Sequence, residues 1–84
     1  MNTEELKQLT VAHLVDARGT ACPGPLLEAK RGISSVSKGE IMEVISSDKH
    51  TNEDIPLWCK KSGHEFLGTV EDAGFWHLYV RRNK

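Results

Sequence analysis

Along this chain the apolar positions switch repeatedly between a period of two and a period near three and a half, and the switches predict an order of strands and helices. Val11, His13 and Val15 alternate with Ala12 and Leu14, which predicts a strand over residues 11–16. Leu26, Ala29, Ile33 and Val36 recur at helical spacing with Lys30 and Arg31 turned outward, which predicts a helix over residues 26–36. Ser37-Lys38-Gly39 ends it, and an Ile- and Val-rich strand is expected over residues 40–46. Ile55, Trp58 and Cys59 then share one face of a second helix, closed by Ser62-Gly63. Thr51 with Asp54 three residues on resembles a capping box, but a helix begun at Thr51 would set Pro56 where it removes an intrahelical bond. A start at Glu53 or Asp54 is therefore expected. Strands over residues 65–71 and 75–82, joined by Asp72-Ala73-Gly74, form the strongest hairpin signal in the chain. In the second of them Trp76, Leu78 and Val80 alternate with Phe75, His77 and Tyr79.

The resulting order, β-α-β-α-β-β, predicts an α/β (α+β) two-layer sandwich: a four-stranded mixed sheet with two helices on one face. The pattern does not set the strand order. Residues 1–10 read as a flexible leader, at most marginally helical, and residues 11–84 as a single domain.

Composition narrows the class. A chain of 84 residues has room for one core, and a net charge of −1 exerts no global pull on nucleic acid or anionic membrane. Apolar stretches such as Leu78-Tyr79-Val80 are far too short to span a bilayer. The leader carries Glu4 and Glu5 and no apolar segment of a secretory signal, so the expected location is the cytoplasm, where thiols stay reduced. Two cysteines make no disulfide framework, and a reactive role is the better expectation.

The chemistry is expected at Cys22-Pro23-Gly24-Pro25, where strand pattern gives way to helix pattern. With Cys22 as N-cap, Pro23 falls at N1 and Pro25 at N3, where the helix needs no backbone donors. The N–H groups of Gly24 and Leu26 and the positive end of the helix dipole then favour the Cys22 thiolate, the nucleophilic form. Gly24 tolerates the backbone that Pro25 imposes on its predecessor.

The run Asp16-Ala17-Arg18-Gly19-Thr20-Ala21-Cys22-Pro23-Gly24-Pro25 resembles the signature of the TusA/SirA-like sulfur-carrier proteins: an acidic residue, a glycine three positions on, then Cys-Pro-x-Pro at the start of the first helix. The resemblance continues through Asp48, Asp54-Ile55-Pro56, Trp58 and Gly63-His64-Glu65, and covers the chain from Val11 onward. It implies a fold like the C-terminal domain of bacterial translation initiation factor three. It also implies a sulfurtransferase in which Cys22 takes up a sulfane sulfur as a persulfide, with no cofactor and no metal. Its partners would be a donor protein, a cysteine desulfurase or a rhodanese-like protein, and an acceptor protein serving tRNA thiolation, cofactor biosynthesis or sulfur oxidation. Asp16, Arg18, Gly19, Pro23, Gly24 and Pro25 are expected as its supporting motif: Arg18 either stabilises the charge of the thiolate or persulfide or forms a solvent-facing turn pair with Asp16, Asp16 is first a structural residue that fixes the loop, and Gly19 supplies a backbone angle other residues avoid. A monomer suits a carrier that shows its thiol to successive partners. Thr20 stands where the family often has leucine and Lys49 where it often has proline, both bearing on partner choice.

Other readings compete. The same fold serving only as an interaction or regulatory module would not need Cys22. A dithiol redox protein would pair Cys22 with Cys59, although Cys59 beside Ile55 and Trp58 reads first as a core residue. His13, His50, His64 and His77 lack metal-site spacing. Phe75, Trp76 and Tyr79 near Arg81, Arg82 and Lys84 read as a core strand with a solvated basic tail rather than a nucleic-acid surface. Lys30, Arg31, Lys60 and Lys61 form a candidate docking rim for acidic partners.

Overall fold

The computed structural model describes residues 3–20 and 24–84. Its elements in chain order are helix α1 (Thr3–Lys7), strand β1 (Val11–Ala17), helix α2 (Gly24–Gly32), strand β2 (Ile41–Ser46), helix α3 (Thr51–Ser62), and strands β3 (Glu65–Asp72) and β4 (Phe75–Arg81). The strands form one mixed sheet in the order β1-β2-β4-β3. β1 runs parallel to β2, while β4 is antiparallel to both of its neighbours. This is the expected α+β architecture with the strand order now assigned.

Alternation along the strands sends two sets of side chains to opposite faces. Val15, Ala17, Met42, Val44, Leu78 and Val80 pack with Ala29 of α2 and Ile55, Trp58 and Cys59 of α3 in the main core. Gly32 lets α2 lie flush on the sheet, since a Cβ there would meet Val15 at 2.5 Å and the Met42 sulfur at 3.1 Å. The α-helix expected to run to Val36 stops at this glycine. A 3₁₀ turn, Ile33–Ser35, follows, and Val36 is already extended (φ −109°). Arg82 caps this connection by donating to the carbonyls of Ile33 (3.2 Å) and Val36 (2.6 Å).

α3 starts earlier than expected, at Thr51, and holds Pro56 in its interior. The reason is tertiary. The Thr51 hydroxyl, fully buried, is 2.8 Å from that of Ser46 at the end of β2. Ser46 Oγ in turn accepts the Asp48 N–H at 3.0 Å. These bonds hold the first turn in place despite the ladder bond that Pro56 cannot make.

The opposite face carries a smaller cluster of Leu6, Ile41, Val70 and Tyr79, with Leu9, Val11 and Leu67 against it. Leu6 of α1 is only 2% exposed. It sits in a notch over Gly68, where a Cβ would come within 2.8 Å of its Cδ1. The notch coincides with the register shift between Phe66 and Gly68 in β3. Residues 3–7, inside the stretch expected as a flexible leader, are thus packed on the sheet. The β3–β4 turn has both Ala73 (φ 55°) and Gly74 (φ 84°) at positive φ, the requirement of a two-residue type I′ hairpin.

Candidate functional site

Because β1 and β2 are parallel, their C-terminal ends and the connections to α2 and α3 lie at the same edge of the sheet, the usual place for a site in such a unit. The motif falls in the first of these connections. Its centre, Cys22 and Pro23, lies with Ala21 outside the described residues. The flanks are described. A Cβ on Gly24 would collide with the Thr20 side chain, so the residues on either side of the undescribed segment touch, and position 24 has no room for a side chain. Pro25, the second residue of α2, is fully buried in the helix's first turn, where its missing N–H costs no bond.

Asp16 and Arg18 form a two-toothed pair. Arg18 Nε donates to Asp16 Oδ1 at 2.9 Å and Nη2 to Oδ2 at 2.7 Å, while the Arg18 N–H reaches Oδ1 at 3.2 Å. Hydrogen bonds from the Arg18 side chain and then its backbone hold the Asp16 carboxyl pKa at about 2, well below the usual carboxylate range. The guanidinium also lies 5.1 Å over the Phe75 ring. The structure therefore brings Asp16 and Arg18 together and engages the cation with Asp16 and Phe75. Gly19 has φ 80°, which only glycine adopts without strain, and its N–H donates to Ser47 Oγ at 3.0 Å.

That last bond joins the two connections. Between them opens a crevice of about 580 Å³, lined by Gly19 and Thr20 from the first, Ser47, Asp48 and His50 from the second, and Trp76 from β4. Asp48 Oδ1 accepts the His50 N–H and stands 2.9 Å from His50 Nδ1. Reading residues singly misses this group. The sequence shows only a polar Ser-Asp-Lys-His run after the second strand; that it faces the loop after the first follows from the parallel pairing of β1 with β2.

The remaining candidates separate. Cys59 is 1% exposed in the main core, and burial pushes its thiol up to about 11. His77 pairs with Glu43 at 2.8 Å on the α1 face of the sheet. His64 lies against Trp58, with ring centres 5.4 Å apart, and its Nδ1 accepts the Asn83 N–H. Among the described residues no three His, Cys, Asp or Glu side chains gather as metal ligands. Of the basic rim, Lys30 and Lys61 flank a groove of about 400 Å³ floored by Leu26, Leu57 and Trp58. Arg31 is instead paired with Glu28 at 3.2 Å. No helix among the described residues is long and apolar enough to cross a membrane.

Comparison with known proteins converges on one group. Residues 13–82 match the model of a family described as sulfurtransferase TusA. A putative sulfur carrier protein of Archaeoglobus fulgidus is 44% identical over 71 residues, covering 84% of this chain and 97% of that protein. The sulfur carrier protein TusA of Pseudomonas entomophila is 35% identical over 68 residues, covering 81% and 85%. The crystal structure of a SirA-like protein from Desulfitobacterium hafniense matches with a TM-score of 0.68 at 19% identity, covering 86% of this chain and 99% of that one. At that identity it supports the fold alone.

Proposed function

The chain belongs to the TusA sulfurtransferase family, and from that premise we propose that it carries sulfur as a persulfide on Cys22, from a donor protein to an acceptor protein. The observation that carries the reading is the family match over residues 13–82, the span in which Cys22-Pro23-Gly24-Pro25 lies. In loading, the Cys22 thiolate attacks the outer sulfur of a donor persulfide. A Cys22–S bond forms, the donor's S–S bond breaks, and the donor's inner sulfur leaves as a thiolate. In unloading, an acceptor thiolate attacks the outer sulfur of Cys22–S–SH, and Cys22 leaves in the same way. No electrons are gained or lost overall, so the cycle calls for no cofactor or metal.

The surroundings support this assignment. Helix α2 begins at Gly24, two residues after Cys22, and the first N–H groups of a helix, which have no intrahelical acceptor, favour negative charge near that end. Cys59, by contrast, is buried with a raised thiol pKa, a poor nucleophile and a poor resolving thiol. Donors would be a cysteine desulfurase or a rhodanese-like protein. The acceptor, which sets the pathway among tRNA thiolation, cofactor biosynthesis and sulfur oxidation, is to be found by which partner protein receives the sulfur. Neither nucleic acid nor membrane needs to be touched directly, a monomer in the cytoplasm suffices, and residues 11–84 form the carrier domain.

The test is intact-protein mass spectrometry after incubation with a desulfurase and cysteine, or a rhodanese and thiosulfate. Wild type should gain sulfur on the peptide containing Cys22, and Cys22→Ser should not. Sulfur retained by Cys22→Ser would overturn the reading, and a Cys22→Ala variant that keeps full cellular function would favour the interaction-module alternative.

A further inference from the structure

The two edges of the sheet are finished differently. At the β3 edge the register shift between Phe66 and Gly68, the acidic Glu65, Glu71 and Asp72, and the packed Leu6 of α1 all discourage a further strand. At the β1 edge residues 11–17 include no lysine, arginine, proline or glycine, and the one carboxylate, Asp16, is engaged by Arg18. The register shift in β1 falls at its start, between Val11 and His13, and leaves residues 13–17 regularly paired with β2. In a parallel pair alternate residues turn their backbone groups to the far side. Among the described residues no bond from a turn, cap or side chain reaches the backbone of residues 11–16. A cleft of about 330 Å³ runs beside residues 13–16, with Glu28, Arg31 and Gly32 of α2 on its other wall, so the helix does not close over the edge. Leu14, the middle residue of β1, is 52% exposed, the most of any large apolar side chain described.

We propose that this edge pairs with the β1 edge of a second copy of the chain, antiparallel about a two-fold axis through Leu14, joining the two sheets into one. The choice of a second copy rests on self-complementarity. A two-fold axis normal to the sheet sets α2 and α3 of both copies on one side, so only residues of the same face lie opposite each other. The register that overlaps the whole of β1 meets this condition. It sets Leu14 against Leu14, His13 against Val15, and Ala12 against Asp16. No like charges meet, the two unpaired backbone rows satisfy each other, and the exposed leucines cover one another. The same axis turns the C-terminal ends of the two β1 strands in opposite directions. The two β1–α2 connections then lie at opposite edges, and neither covers the other. The inference goes beyond the carrier reading and does not rest on it. A contact made by one strand edge is small, so the dimer is weak and forms as concentration rises.

The experiment is sedimentation of the full chain at concentrations rising to about 1 mM, with amide NMR spectra of the same samples. Wild type should move from monomer to dimer, with amide shifts centred on residues 13–16. Leu14→Lys sets like charges together on the axis and should stay monomeric, with its thermal midpoint at low concentration unchanged. A chain carrying Cys22→Ser and Leu14→Cys should be oxidised by copper phenanthroline in air to a symmetric disulfide. Its crosslinking should run on the order of tenfold faster than with Leu57→Cys, since pairing raises the local thiol concentration. Leu57, on α3, is the matched control at 51% exposure. A wild type that stays monomeric throughout overturns the proposal. So does a dimer that Leu14→Lys leaves intact, or one in which Leu57→Cys crosslinks as fast, because either marks another surface. Sulfur loading is read separately by mass, and its loss would bear on the Cys22 reading alone.

Discussion

The two strand-to-helix connections, β1–α2 and β2–α3, lie side by side but are built differently. Among its described residues the first turns on two glycines, Gly19 at positive φ and Gly24 with no room for a Cβ, beside the exposed Asp16–Arg18 pair. The second is stitched by polar side chains, with Ser46 and Thr51 buried and Asp48 holding His50. The contrast separates two tasks. The connection that carries the motif is shaped by backbone at its two glycines, while its neighbour is fixed by polar side chains.

Substitutions can break that division, beginning with the largest effect. Cys22→Ser should abolish sulfur loading and Cys59→Ser should leave it intact, as read by mass spectrometry. A result in which Cys59 is needed would set the buried thiol, and not the first connection, at the centre of the chemistry. Next, Gly24→Ala forces a Cβ into the Thr20 side chain and should cost about 1–3 kcal/mol in chemical denaturation. Thr20→Ala in the same chain should recover part of it, a coupling that tests whether the two flanks truly touch. In the second connection Ser46→Ala leaves the Asp48 N–H and the buried Thr51 hydroxyl short of a partner, for about 1–2 kcal/mol, with Thr51→Val costing less.

The smallest effect is electrostatic. Asp16 is held at about 2 against an ordinary 3.8, so its pairing with Arg18 is in place above the ordinary value and fades as pH falls through about 2. A carboxyl-carbon NMR titration should show the Asp16 midpoint well below that of exposed carboxylates, and Arg18→Gln should move it back up. Lying at the surface, the pair sharpens the shape of the first connection rather than the stability of the fold.

The periodicity of the chain makes most of the fold readable. Strands 11–16, 40–46, 65–71 and 75–82 fall within a residue or so of those observed, because alternation on a half-buried sheet leaves a strong trace. What the pattern misses is in each case decided by a distant contact. Pro56 argues locally for a late start to α3, and the buried Ser46–Thr51 pair overrides it. Leu6 in a polar leader resembles an isolated apolar residue, and only the bulged, glycine-notched β3 reveals what it packs against. The motif is legible as four adjacent residues. The Asp48–His50 wall is not, because it meets the motif's upstream flank only across the parallel pair β1–β2.

By itself, then, the sequence determined the element order, the hairpin, the apolar faces and the place of the Cys-Pro-Gly-Pro motif between a strand and a helix, because each depends on spacing over a few residues and on intrinsic backbone preference. The tertiary structure alone decided the strand order, the docking of α1, the early start of α3 and the crevice between Gly19-Thr20 and the β2–α3 connection. Each of those depends on which surfaces meet when non-local strands pair, and that outcome is a property of the packed whole.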